Sequence, residues 1–285
     1  MNRENPRISW QHAAMPSFEF TRDVFSRDGF TLLVDGQSQS HVDPADPARL
    51  FFEYTRRIGN IVDAFRTPGA PIRALHLGGG ALSLPRYVEA TRPDSTQVVV
   101  EHDGALLDAV LDRVPLPADT GIELAVADAA DVVADLAHAA DLELAVADAA
   151  DLPHVAADPA RFDLIVVDLY TGLQPPDFVS SRRFVERVLA VLAPGGLAVV
   201  NVADAAGLAR LGAQARAYAR SAPAAELLVA GPSAVLAGAD EGNAILVVAP
   251  DGLPHDLAGR LAETGPHPAD VLTHDRLDFV LWGAC

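Results

Sequence analysis

Residues 17–35, SFEFTRDVFSRDGFTLLVD, place aromatic and β-branched residues between polar ones around a central Asp28-Gly29, the pattern of a β-hairpin. After Asp35-Gly36 the run QSQSHVDPADP reads as a polar, proline-marked loop. From Leu50 to Phe65 the apolar residues recur at helical spacing, with Gly59 inside the helix. Thr67-Pro68-Gly69-Ala70-Pro71 then breaks the pattern, which puts a boundary near residue 67.

Beyond that boundary the rhythm changes to alternating strand and helix patterns. Strands are predicted over 72–77, 97–101, 122–127, 162–168 and 197–202, and helices over 83–91, 104–113, 180–192 and 205–219. Ser83 reads as the cap of the first of these helices, with Pro85 in its first turn. Alternation of this kind builds parallel strands with helices on both faces. The last third departs from it. Runs 226–230, 234–237 and 244–248 are separated by short turns such as Glu241-Gly242-Asn243, which predicts an antiparallel hairpin at one sheet edge. A helix over 254–263 and a last strand, Phe279–Trp282, complete the pattern. The fold class is therefore α/β: a Rossmann-like, mostly parallel sheet over 67–285 with an antiparallel C-terminal edge, preceded by a small β-hairpin and helix region over 1–66.

One internal repeat interrupts this scheme. The nonapeptide ELAVADAAD occurs at Glu123–Asp131 and again at Glu143–Asp151. Two copies do not make a solenoid, which needs at least three. The duplication leaves Asp128 and Asp148 competing for one place at a strand end.

Composition excludes several classes of chemistry. All 21 basic residues are arginine, so a Schiff-base lysine, a pyridoxal phosphate linkage and the lysine of a phosphate-binding loop are ruled out together. The 39 acids give a formal charge of −18, which disfavours nucleic acid and steers cationic ligands inward. The single cysteine, Cys285, forms no intrachain disulfide or cysteine metal cluster. No apolar run reaches the length of a membrane span, and the N-terminus lacks the apolar core of a signal peptide, so a cytoplasmic protein is expected. The nine histidines show no i, i+4 pair and no H-E-x-x-H, and no G-x-S-x-G elbow is present, so neither a metal site nor a serine hydrolase is expected.

Two segments carry candidate chemistry. Residues 72–103 run strand, Gly78-Gly79-Gly80, helix, strand, and end on Glu101. Glycines at such a turn let a ligand approach the backbone, and a carboxylate ending the next strand can accept both hydroxyls of a ribose. A dinucleotide fingerprint begun at Gly78 would need glycine at 83, where the chain has Ser83, so a nucleoside without a pyrophosphate fits better. His76, just before the glycines, reads as a hydrogen-bonded strand histidine. Residues 162–168 form an apolar strand ending in Asp168, with Tyr170 beyond. In open α/β sheets that end of a strand faces the ligand, where a buried carboxylate can hold an amine and accept its proton.

These motifs, in this order, resemble the spermidine synthases, the polyamine aminopropyltransferases built on the class I methyltransferase fold. The resemblance covers about residues 20–250. Leu33–Gln39 is similar to the family's L-D-G-x-x-Q, whose glutamine touches the nucleoside. Phe52-Glu53-Tyr54 is similar to its Y-x-E-M helix start. Leu77–Gly80 matches its glycine turn, and Val100–Asp103 its V-E-I-D, whose glutamate binds ribose. Ala147-Asp148-Ala149 looks like the G-D-A element that contacts adenine, and is preferred over Asp128 because Asp148 lies 15 residues before Asp163. Phe162–Asp168 is similar to Y-D-V-I-I-x-D, whose last aspartate takes the proton. Pro175-Pro176, Ser181–Phe184 and Pro194-Gly195-Gly196 resemble later family elements.

The resemblance implies that Gln39, Gly78, Gly79, Gly80, Glu101, Asp148 and Ala149 bind the nucleoside, that Asp168 is catalytic, and that Tyr170 and Thr171 face the amine. The co-substrate implied is decarboxylated S-adenosylmethionine, or S-adenosylmethionine itself in a methyltransferase. The other partner is a small-molecule amine, with no tightly bound cofactor, and the protein pairs as a homodimer through its N-terminal strands. Three family groups are replaced: the aspartate after the glycines by Ala81, a second aspartate of the catalytic strand by Thr171, and a helix histidine by Arg57. These replacements keep methyl transfer and a non-catalytic nucleoside-binding role as alternatives.

Overall fold

The structure is a computed structural model that describes residues 17–149, 161–170, 175–273 and 276–278. Three strands, β1 (Phe18–Arg22), β2 (Phe30–Val34) and β3 (Gln37–Val42), form a small antiparallel sheet in that order. Asp35 and Gly36 both have positive φ, 50° and 76°, the geometry of a tight hairpin turn between β2 and β3. The polar run after this turn is thus a strand and not the loop its composition implied. Its inward polar side chains find partners: Ser40 meets Ser83 at 3.2 Å, and His41 Nε2 bonds Asp23 at 3.0 Å, while His41 Nδ1 is left without one. A strand built on polar partners carries no alternation of hydrophobicity to read.

The large sheet has eight strands. It comprises β4 (Arg73–Leu77), β5 (Thr96–Glu101), β6 (Ile122–Val126), β7 (Phe162–Val167), β8 (Leu192–Asp204), β9 (Glu226–Pro232), β10 (Gly242–Ala249) and β11 (Ala269–Leu272), in the spatial order β11-β9-β10-β8-β7-β4-β5-β6. The five strands β6, β5, β4, β7 and β8 pair in parallel, and β10, β9 and β11 continue the sheet antiparallel. The chain winds outward from β4 to β6, then restarts at β7 on the other side of β4. The carboxyl ends of β4 and β7 therefore open a crevice, the place where such sheets hold ligands. Two readings of the C-terminal third change. Residues 234–237 lie in the short helix α7 (Ser233–Leu236) and its cap, and the outermost strand is β11. The strand expected at Phe279–Trp282 falls outside the described residues.

Helices α2 (Ser83–Thr91), α3 (Gly104–Arg113), α4 (Ala129–Ala149), α5 (Arg182–Ala190), α6 (Ala209–Ser221) and α8 (Leu257–Thr264) cover the large sheet. Helix α1 (Glu53–Ala64) belongs with them. Its Ile58, Ile61 and Val62 share one apolar cluster with Ala74, Leu164, Val199 and Ile245 of the large sheet. Although residues 50–65 precede the proline-glycine breaker, they complete the second layer of the domain that follows it. Arg92 ties the breaker down: its guanidinium, almost wholly buried, donates to the carbonyls of Val62, Phe65, Thr67 and Ala70. A buried charge so supplied with acceptors also neutralises the carbonyl end of α1.

The two copies of the nonapeptide adopt different structures. In the first, Glu123–Val126 is strand, Asp128 turns the chain, and Ala129 opens α4; in the second, Glu143–Ala149 is the end of that same helix. No helix among the described residues is long and apolar enough to cross a membrane.

Candidate active site

The crevice beyond β4 and β7 is a cavity of about 510 Å³. Gly78 makes it possible. Its φ is +99°, and a methyl group there would lie 2.1 Å from the carbonyl oxygen of Asp168, so only glycine lets the end of β7 come this close to β4. The Gly78 N–H donates to Val100 and the Asp168 N–H to Leu77, each at 2.8 to 2.9 Å, which locks three strand ends together.

Glu101 ends β5 beneath the glycine turn. Its Oε2 accepts the N–H groups of Gly79 at 2.9 Å and Gly80 at 3.4 Å, and its Oε1 accepts that of Asp103 at 3.0 Å. His102 Nδ1 lies 2.9 Å from the same Oε1, on a side chain that is 57% exposed. The carboxylate thus shapes the turn and still lines the cavity. The His102 contact, made by an exposed side chain and not by backbone, is the one a ribose hydroxyl could replace.

Asp168 stands opposite, its remaining surface facing the cavity. Asn201 Nδ2 donates to its Oδ1 at 2.8 Å, and the hydroxyl of Tyr54, on α1, also bonds the carboxylate. Burial pushes the Asp168 carboxyl above its ordinary value; the Asn201 and Tyr54 hydrogen bonds hold it down, and the charge of Glu101 adds to the rise. The same burial, with Asp168 beside it, drives the Tyr54 phenol well above its ordinary range, so it stays a donor. Both groups on Asp168 are neutral. A half-buried anion held by dipoles alone is costly without a cation, and a cationic ligand would supply the missing charge.

The rest of the lining comes from both sheets. Phe18, Leu32, Val34, Asp35, Gln39 and Ser40 form a wall from the N-terminal sheet. Asp103 and Asp128 lie on the β5 and β6 side, and Tyr170, Pro176 and Phe178 beyond β7. With Glu101 and Asp168 that makes five carboxylates among the described lining residues, and no arginine is among these. Tyr170 is turned toward the sheet: its hydroxyl accepts from Ala203 N at 2.6 Å and donates to Asn201 O at 3.3 Å.

Several sequence expectations meet at this cavity. Gln39, Gly78, Gly79, Gly80, Glu101, Asp168 and Tyr170 all line it. Asp148 and Ala149 are placed elsewhere. They end α4, about 28 Å along the helix from Ala129 at 1.5 Å per residue, whereas Asp128 occupies the strand end and lines the cavity. The first copy's strand pairs with β5 and puts Asp128 at its end, whereas the copy chosen for its 15-residue spacing to Asp163 closes the long helix α4. Asp128 Oδ1 accepts the Ala130 N–H at 2.7 Å, so one of its oxygens caps α4 and the other remains available. Thr171 lies outside the described residues. Ser83 is not the cap of α2, a place taken by Leu82 in left-handed conformation; its hydroxyl donates instead to His41 O and ties α2 to the small sheet.

The replaced positions resolve differently. Ala81 is fully buried among Phe30, Leu32, Val42 and Leu107, outside the cavity lining. Arg57 also stays away from the cavity, donating to Pro266 O at 2.8 Å. His76 lines the cavity floor but is neutral: burial lowers it to about 4, and Nε2 bonds Gln97 Oε1 at 2.9 Å. That agrees with a hydrogen-bonded strand histidine. Sequence reasoning missed Tyr54 as an Asp168 partner and Asn201 altogether, although a lone asparagine within LAVVNVA is a signal for a buried polar role. Among the described residues, no cluster of three or more metal-ligating side chains occurs.

The arrangement matches known architectures. No protein-family model matches the chain, and no curated sequence matches it significantly. Among solved structures, a probable spermidine synthase from Corynebacterium glutamicum superposes with TM-score 0.78 at 24% identity, covering 95% of this chain and 93% of that one. Spermidine synthase from Thermotoga maritima gives 0.55 at 15% identity, over 86% and 73% of the two chains. Human methyltransferase-like protein 13, in complex with SAH, gives 0.52 at 21% identity, over 75% and 92%. These likenesses establish the fold: the chain has the architecture shared by spermidine synthases and S-adenosylmethionine-dependent methyltransferases, with the added N-terminal sheet.

Proposed function

We propose that the protein is a spermidine-synthase-like transferase that moves an aminopropyl group from decarboxylated S-adenosylmethionine to a small-molecule amine. The observation that carries this reading is the cavity's charge: among the described lining residues, five carboxylates and no arginine, and a half-buried Asp168 held by neutral donors. Decarboxylated S-adenosylmethionine is cationic at its sulfonium and its amine and brings no carboxylate. S-Adenosylmethionine would bring one, and the glycine-turn N–H groups of Gly79 and Gly80 that would receive it already donate to Glu101.

In this reading Glu101 takes the ribose hydroxyls, with His102 swung aside, and the free oxygen of Asp128 faces the adenine. Gly78, Gly79 and Gly80 pass close to the sulfur. Gln39 and the N-terminal sheet close the nucleoside side, and Tyr170 walls the amine side. Asp168 accepts a proton from the incoming ammonium, and the freed amine attacks the carbon next to sulfur. The C–N bond forms as the C–S bond breaks, and methylthioadenosine leaves with the electron pair. Alignment supplies most of such a rate, because the sulfonium is already a good leaving group. The raised Asp168 carboxyl suits a proton acceptor. We further propose that the protein works as a homodimer in the cytoplasm.

Calorimetric titration with S-adenosylmethionine, its decarboxylated form and methylthioadenosine, each followed by putrescine and mass spectrometry, tests the reading. Tightest binding of the decarboxylated form, with an aminopropylated amine as product, supports it. A methylated product would replace it with methyl transfer, and binding without product would leave a nucleoside-binding protein.

A further inference from the structure

Asp168 is held by a two-residue relay whose outer member lies outside the cavity. Asn201 presents its amide to the carboxylate by the nitrogen end, Nδ2 to Oδ1 at 2.8 Å. Its other end, Oδ1, accepts from Asn243 Nδ2 at 2.9 Å. Asn201 on β8 is paired with Ile245 of β10, so Asn243 is its diagonal neighbour on the same sheet face. Asn201 is 5% exposed, and Asn243 is not among the residues lining the cavity.

An amide is polar at both ends with opposite sense, and the two ends are nearly equal in shape. Turned over, Asn201 would set its carbonyl oxygen against the Asp168 carboxylate and its NH₂ against the NH₂ of Asn243. An ionised carboxylate only accepts, so Asp168 selects the nitrogen end of the amide, and Asn243, donating to the oxygen end, holds it there. We propose that Asn243 is a positioning residue for Asp168, acting through the Asn201 amide to fix how readily that carboxylate takes up a proton.

The surroundings make this control effective. The groups facing Asp168 are Tyr54 from α1, Glu101 from β5 and Asn201 from β8, with Tyr170 two residues along its own segment; His76 of β4 is neutral and engaged with Gln97. None is a cation. Two neutral dipoles stabilise the anion, and reversing one turns an attraction into a repulsion at hydrogen-bond distance in a site of low dielectric. The orientation of Asn201 has a second anchor, since Tyr170 bridges the Asn201 carbonyl and the Ala203 N–H and holds this stretch of β8 in place.

The catalytic consequence rests on the aminopropyl-transfer reading, but the test does not. Asp168 is titrated by carbon-13 NMR of its carboxyl in the full-length protein, in a double-mutant cycle of Asn243→Leu and Asn201→Leu. Asn243→Leu alone is expected to raise the proton affinity of Asp168 several-fold, because the amide then loses the donor that holds and polarises it toward the carboxylate. In the Asn201→Leu background the same change is expected to do nothing, since its only route is gone. An unchanged titration in the single variant, or equal shifts in both backgrounds, would overturn the proposal. Should a leucine variant not fold, Asn243→Asp decides the same point. The Asn201 side-chain NH₂ resonances, expected to follow the Asp168 titration in the native protein, are expected to lose that dependence in the variant, and their retention would refute the relay. Failure to form product with any amine would remove the transfer reading and leave this result standing.

Discussion

A methyl group at position 78 tests the closest approach in the site. It would stand 2.1 Å from the Asp168 carbonyl oxygen, over 1 Å inside an ordinary carbon–oxygen contact of about 3.3 Å. Gly78→Ala adds two costs: a positive φ, worth about 1 kcal/mol, and overpacking against backbone, worth about 1–3 kcal/mol. Gly207 supplies the control, because its φ is +97° against +99° for Gly78 and a methyl there meets nothing within 4 Å. Gly207→Ala therefore carries the conformational strain alone. The gain from a stiffer unfolded chain is the same in both and cancels. Urea unfolding followed by far-UV circular dichroism should find Gly78→Ala less stable than Gly207→Ala by about 1–3 kcal/mol. Relief of the clash must move the end of β7, and a shift of about 1 Å in Asp168 lowers turnover about 100-fold. Equal destabilisation of the two variants, with turnover intact in Gly78→Ala, would mean that β4 and β7 do not meet as described.

Four further outcomes are expected of the site. Asp168→Asn should abolish turnover while sparing methylthioadenosine affinity, and unchanged rates would remove Asp168 from its role. The same variant should be more stable than the native protein at neutral pH, because a carboxyl whose folded pKa is raised destabilises the folded state once ionised. Thermal melts should show that advantage shrinking as pH falls through the raised value toward about 4, the unfolded value. The acid limb of kcat/KM should lie above the ordinary carboxylate range and should be unaffected by His76→Gln; a limb that His76→Gln shifts would make His76 the proton acceptor. Asp128→Asn should weaken nucleoside binding in calorimetry and Asp148→Asn should not, and the reverse would return the site to the second nonapeptide.

The fold was legible wherever burial on both sheet faces forced continuous apolar runs. LIVV and LAVV in β7 and β8 announce themselves, and the glycine turn after β4, with Glu101 ending β5, locates the crevice beyond β4 and β7. The N-terminal β3 was not legible, because Ser40 and His41 are buried by hydrogen-bond partners distant in sequence, which no local pattern records. The assignment of α1 to the small region failed for a related reason: its helical period was clear, but the face it packs on is set by tertiary structure. At the site, the strand-end acids were visible as chemistry. Their partners Tyr54, Asn201 and Asn243 come from three other elements and acquire meaning only when those elements converge.

The duplicated nonapeptide isolates this dependence on context, since one sequence takes two structures within one chain. Local propensity is identical in the two copies and cannot decide between them. Edge position makes the choice a close one, because β6 pairs with β5 alone and buries little besides Ile122. The residues downstream of the two copies are different. After the first come Val133, Ala137 and Ala140, spaced for one helix face and buried against the sheet. After the second, Pro153 stands where Val133 stands in the first, and proline inside a helix removes a hydrogen bond and clashes with the preceding turn. The first copy can thus carry a strand, a turn and a full covering helix, and the second can serve only as that helix's end. Asp128 reaches the cavity, and Asp148 is carried to the far end of α4, because of residues that neither repeat contains.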